Sequence, residues 1–162
     1  MDIDTIGMNL QGGGAQEQQF DVAAREIIEK AIREGEIPAP GGEVLVWDSV
    51  GIEGEAMLTY RRGKRIPHFD YKVNLPFRIE LRCGQLATGM IEVPEFTNAY
   101  GDVDEDLDVK VFCVNHYHCT EEIAADLHKA LEQKTTPLIR EALVTCAAHI
   151  YKAGMNPPAP KG

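Results

Sequence analysis

A chain of 162 residues, 44% of them hydrophobic, is long enough for one domain with a substantial core and is not a disordered composition. With 26 Asp and Glu against 16 Lys and Arg it carries −10 at neutral pH, which excludes broad binding to nucleic acid or anionic membrane, since both need an extended basic surface. No apolar run approaches the roughly 20 residues of a membrane span, the N-terminus lacks a secretory layout, and four cysteines without a CxxC pair read as free thiols, so a cytoplasmic protein that does not engage membranes is expected.

Residues 1–19, with the Gly/Gln-rich stretch "NLQGGGAQEQQ", show no apolar periodicity and read as a flexible tail. The first folded element is predicted over 20–36. Val22, Ala23, Ile27, Ala31 and Ile32 share one face at helical spacing, Asp21 suits an N-cap, and Gly35 ends the pattern. "PAPGG" at 38–42 then forces a break.

Strands follow. Residues 43–60 are rich in Val and Ile, with Gly51 and Gly54 marking bends. From 68 to 81 every odd position is apolar: Phe69, Tyr71, Val73, Leu75, Phe77, Ile79 and Leu81. Such alternation puts one face on a core and the other in water. Pro76 cannot donate a ladder bond, so a bulge or bend is expected there. A third strand is predicted at 86–93. A fourth, at 106–114, places Leu107, Val109, Val111 and Cys113 on one face.

From Thr120 to about Ala153 an apolar stripe runs through Ile123, Leu127, Leu131, Ile139, Leu143, Ala147 and Ile150. Thr120 is placed to cap this helix. Pro137 interrupts it, either as a kink or as a fresh start capped by Thr135 or Thr136. Residues 154–162 carry three prolines and read as a second tail. The expectation is one α+β domain over 20–153. Four strands form an elongated antiparallel meander, and the N-terminal helix and the long C-terminal helix pack on one face.

Three clusters could carry chemistry. "TYRRGKRIP" at 59–67 gathers Arg61, Arg62, Lys64 and Arg65 around Gly63, between two strands. Gly63 allows a tight turn, so these cations crown a hairpin tip, and they serve either as a solubilising turn or as a docking point. "NHYHC" puts His116 and His118 on one strand face beside Cys119. Cys113 or His68 would have to complete any metal site, the spacing matches no structural one, and no metal is expected. "GDVDEDLD" at 101–108 holds five acids in eight residues without the calcium-loop pattern, and reads as a solvated loop. No nucleophile motif is present and no cofactor is expected, so the chain reads as a binding or regulatory module rather than an enzyme.

The stretch "VGIEGEAMLTYRRGKRIPHFDYKVNLPF" at 50–77 resembles the N-terminal domain of activators of the heat-shock protein 90 ATPase. "GMIEVPEF" at 89–96, the acidic stretch and Val-rich strand after it, and "TTPLIREAL" at 135–143 continue the resemblance over about residues 20–152. The resemblance implies a four-stranded antiparallel sheet with a helix at each end of the chain. It also implies a co-chaperone, active in protein folding and stress response, that binds the chaperone's middle domain and speeds its ATP hydrolysis while binding no ATP itself. The turn that would reorient the chaperone's catalytic loop maps to Arg61, Arg62, Gly63 and Lys64, and Glu55 matches an acidic contact position on the strand leading to it. Arg62 stands where the family usually has Lys, a planar fork in place of a point charge.

Many members begin with a short Asn/Trp/His-rich motif, whereas here the only Trp is Trp47. Full-length members carry a second, lipid-transfer-like domain, whereas this chain ends at 162. The resemblance is therefore to a single-domain form, and a monomer is expected. The alternative function is a scaffold of the same fold that holds the chaperone or a client without changing turnover.

Overall fold

The alternation at 68–81 builds the longest element. In the computed structural model, which describes residues 11–35, 37–40, 44–80, 86–98, 107–115 and 121–155, strand β3 runs from Lys64 to Glu80. Phe69, Tyr71, Val73, Leu75, Phe77 and Ile79 are all buried, and Leu81 lies outside the described residues. Seventeen residues at strand rise span about 55 Å, which makes the domain elongated.

Among the described residues five strands form the sheet, one more than predicted. They are β1 (Val44–Trp47), β2 (Gly51–Arg61), β3, β4 (Leu86–Thr97) and β5 (Lys110–Asn115), and every pairing is antiparallel. β2 to β5 make the expected meander. The extra strand arises because 43–60 breaks in two, and both pieces pair along the same edge of β3. The β1 pairing ends at Trp47↔Phe77, and the β2 pairing begins at Gly51↔Asn74.

Pro76 sits in that gap. In an antiparallel strand a residue's N–H and C=O point to the same neighbour. The Pro76 carbonyl accepts the Asp48 N–H at 2.9 Å, so its missing N–H falls at the break, where no ladder bond is lost. The expected irregularity is carried by the neighbouring edge: between Trp47↔Phe77 and Gly51↔Asn74 three residues stand opposite Leu75 and Pro76, a register shift of one. On the β4 side the pairing runs unbroken past Pro76, and the register shifts between Tyr71 and Val73.

Both helical arms cover the odd-numbered face of β3. Helix α1 spans Gln11–Arg33 and starts nine residues earlier than predicted. Periodicity detects a buried face and not a helix as such, and Gln, Ala and Glu are adequate helix formers without one. Asp21 is consequently inside the helix rather than at its N-cap. The buried ridge is Phe20, Ala24, Ile28 and Ile32, rotated about one residue from the predicted face. Val22 is 54% exposed, and Ile27 and Ala31 lie on the flank.

The C-terminal rod is continuous through α2 (Glu121–Ala130), a π turn (Leu131–Thr135) and α3 (Thr136–Met155). The π turn absorbs Pro137. Thr136 N–H reaches back to the Leu131 carbonyl, five residues away. The next carbonyl, that of Glu132, would need an N–H that Pro137 lacks, and the Thr136 hydroxyl donates to it at 2.5 Å instead. The helical run thus passes Pro137 without a gap, so no fresh start occurs there, and the Thr120 cap lies outside the described residues.

Leu127, Leu131, Ile139, Leu143, Ala147 and Ile150 are buried as predicted, but Ile123 is 41% exposed and Ala124 is buried beside it. A four-residue row drifts about 40° per step around a helix, so by Ile123 it has left the sheet. Of the fourth strand's face, Leu107, Val109 and Val111 are buried, the first two ahead of β5, and the Cys113 side chain is outside the description. No described helix is long and apolar enough to cross a membrane.

Candidate functional site: a basic hairpin arm

Strands β2 and β3 extend past the rest of the sheet. The β4 pairing of β3 stops at Asp70↔Thr97, while β2 stays paired with β3 out to Arg61↔Lys64. The last six residues of each strand thus form a two-stranded arm about 20 Å long. Arg62 (φ 53°) and Gly63 (φ 77°) form its two-residue turn. Positive φ at both positions is the type I′ geometry that matches strand twist. It suits glycine and costs Arg62 some strain.

Arg61, Arg62, Gly63 and Lys64 are exposed, whereas Arg65 is half-buried on the helix side. Among the described residues, the ion pairs of Arg25, Arg33, Lys72, Arg78 and Lys110 lie elsewhere, and none involves the four cations of the tip. The Arg65 Nε is closed off from solvent with no hydrogen-bond partner, an omission that costs about 1–3 kcal/mol.

Glu55 lies six residues before Arg61 on the same, solvent-facing side of β2, about 20 Å from the tip. Its cross-strand neighbour is Asp70, also exposed. Two carboxylates directly opposite repel each other. Sequence reasoning singled out Glu55 but not Asp70, because the register that opposes them exists only in the folded sheet. The arm therefore presents positive charge at its tip and negative charge at its base.

Three devices hold the arm to the body, and none was anticipated. At its base, Asp21 and Arg25 of α1 cap the free edge of β2. The Ala56 N–H donates to Asp21 Oδ1 at 3.0 Å, and Arg25 donates to the Ile52 and Gly54 carbonyls at 2.6 and 2.5 Å. These are the outward-pointing groups of an edge strand, which otherwise invite another strand. Gly54 has φ 117°, and a Cβ there would overlap the Asp70 carbonyl.

Tyr71 locks the same corner, its hydroxyl donating to Asp21 Oδ1 at 2.6 Å. Burial, reinforced by the Asp21 carboxylate, pushes the phenol's pKa well above its ordinary value. Burial alone would raise Asp21, but hydrogen bonds from Tyr71, Arg25 and the Ala56 N–H outweigh it and hold the carboxyl below its usual 3.8.

Farther out, Asn98 extends the β4 ladder with its side chain. Its Oδ1 accepts the Phe69 N–H at 2.6 Å, and its Nδ2 donates to the Pro67 carbonyl at 3.2 Å. His68 Nδ1 donates to the Asn98 carbonyl at 3.1 Å. The third device is the end of α3, where Gly154 lies so close to Pro67 that a Cβ would overlap the proline ring.

Comparison with known proteins bears on this arrangement. The profile described as "Activator of Hsp90 ATPase, N-terminal" matches residues 20–154. This chain belongs to that family. Among solved structures, the fold is similar to the crystal structure of Aha-1 from Plasmodium falciparum, with a TM-score of 0.58 and 17% identity over 85% of this chain and 88% of that one. The solution structure of the human Aha1 N-terminal domain also aligns, with a TM-score of 0.48 and 17% identity over 85% of this chain and 90% of that one. No curated protein sequence matches.

In this member of the Hsp90 activator family, no group of three or more metal-ligating side chains occurs among the described residues. His116, His118 and Cys119 lie outside them, as do 101–106 of the acidic stretch. Cys146 is buried beneath the groove between α1 and α3, and burial pushes its thiol up to about 12. A thiol protonated at neutral pH is a packing residue, not a nucleophile.

Proposed function

We propose that this chain is a co-chaperone that binds the middle domain of heat-shock protein 90 and stimulates its ATPase. Family membership sets the class of partner, and one observation carries the rest: a braced two-stranded arm presents an exposed basic tip on a chain whose net charge is −10. Such a charge arrangement favours one docking point, raises the rate of productive encounter, and fixes register more than it adds affinity. Glu55 and Asp70, at the base of the same face, supply a second contact of opposite sign, so a partner must present acids and bases about 20 Å apart to engage both.

Arg61, Arg62 and Lys64 act on the chaperone's catalytic loop, and Gly63 gives the turn its shape. The mechanism is population shift. Stimulating turnover tenfold requires binding the ATPase-competent conformation about tenfold, or about 1.4 kcal/mol, more tightly than the resting one. The chaperone hydrolyses ATP in the cytoplasm, and this chain contributes contacts only.

Calorimetric titration into full-length Hsp90 and into its isolated middle domain tests the assignment. Comparable affinity for both, falling with salt, is the expected result, and no binding to the middle domain contradicts it.

A further inference from the structure

The tip is not a simple knob. Arg61, Arg62, Lys64 and Arg65 line one wall of a concavity of about 840 Å³, with Ile66, Tyr151 and Met155 completing it. Three of the cations are exposed, and the fourth, Arg65, is held partly buried by packing, its Nε without a partner. A solubilising turn needs none of this. It has no use for a cation half-buried against the body. The concavity lies at the C-terminal end of α3, whose dipole contributes about half a negative charge, too little to satisfy four cations.

We propose that this concavity is a docking site for a phosphorylated peptide segment, whose phosphate sits at the cations of the turn while a neighbouring apolar side chain rests on Tyr151 and Met155. A phosphate carries close to two charges and three acceptor oxygens, and planar guanidinium forks engage it with paired hydrogen bonds. Three of the four cations are arginines. An extended polyanion or an anionic bilayer would bring its charge against a chain of net charge −10, whereas one phosphate on a peptide meets the concavity alone. The site deepens the proposed function by naming the chemistry of a partner, and it rests on the same arm.

The test uses this chain alone, so it stands apart from chaperone stimulation. The probe is a short fluorescent peptide with one phosphoserine between two leucines, compared with its unphosphorylated form, and binding is read by anisotropy. Vesicles of phosphatidylcholine with phosphoinositide form a second arm. The expected result is binding at least about tenfold tighter for the phosphorylated peptide. Arg65→Gln and Tyr151→Ala should each weaken it by about tenfold, the loss of one charge-assisted or packing contact. Arg65→Lys, which keeps the charge and lacks the fork, should recover only part of the loss.

Melting curves for each variant separate loss of the site from loss of the fold. Equal binding of both peptides overturns the proposal. So does full binding by well-folded Arg65→Gln and Tyr151→Ala, or tighter binding to the vesicles than to the peptide. If the peptide does not bind but the tip still drives Hsp90 stimulation, the site is wrong and the co-chaperone reading stands. The reverse result separates them the other way.

Discussion

Tyr71 donates its phenolic hydrogen to Asp21 Oδ1 at 2.6 Å, joining the central strand to a helix fifty residues earlier in the chain. The same oxygen accepts the Ala56 N–H, so one carboxylate ties α1, β2 and β3 together at the root of the arm. Asp21→Ala leaves three donors without their acceptor and should destabilise by about 2–3 kcal/mol, whereas Tyr71→Phe should cost about 1 kcal/mol because the other donors keep theirs. Urea unfolding at neutral pH measures both.

The corner also sets a pH dependence. The folded state lowers the Asp21 pKa below 3.8, so its contribution is complete above that value and is lost as pH falls through the lowered pKa. The folded state raises Tyr71, so its contribution is complete below pH 10 and is lost as pH rises beyond it. Unfolding midpoints of wild type and Tyr71→Phe should therefore converge at strongly alkaline pH. A gap between them that stays constant past pH 10 would separate Tyr71 from the alkaline loss.

Core substitutions check the face assignments. Phe69→Ala or Phe77→Ala should cost about 3–5 kcal/mol. Ile28→Ala in α1 should cost about 2–5 kcal/mol, while Val22→Ala should stay within about 0.5 kcal/mol. The pairing of Ile28 with Val22 separates the observed face from the one that spacing predicts.

Much of the fold was legible because burial leaves a period. The odd positions of β3 are apolar and buried from Phe69 to Ile79, and the stripe from Leu127 to Ile150 kept its spacing across Pro137. The errors fall where a different force acts. Ile27 and Ile28 are both apolar, and adjacent apolar residues cannot say which one faces the core. The break that makes five strands out of four depends on Asp48 reaching the Pro76 carbonyl. The basic tip was legible as a local cluster, whereas its braces were not. Asn98, Asp21 and Gly154 lie far away in sequence, and nothing near them shows that they meet the arm.

Asn98 makes that last point testable. Asn98→Leu removes the acceptor for the buried Phe69 N–H and the donor to Pro67, and should cost about 1–3 kcal/mol. Amide hydrogen exchange should rise in 64–69 more than in 72–80, since only the outer part of β3 loses a neighbour.

The most direct test of the central claim is the Hsp90 ATPase rate titrated with this chain, wild type against Arg61→Ala/Arg62→Ala/Lys64→Ala. All three side chains are exposed, so the triple variant should melt within about 0.5 kcal/mol of wild type. Wild type should raise the rate, the triple variant should not, and raising the salt should reproduce part of the loss, since exposed charges are screened within about 8 Å at physiological ionic strength. A triple variant that melts normally and stimulates as well as wild type would contradict the central claim.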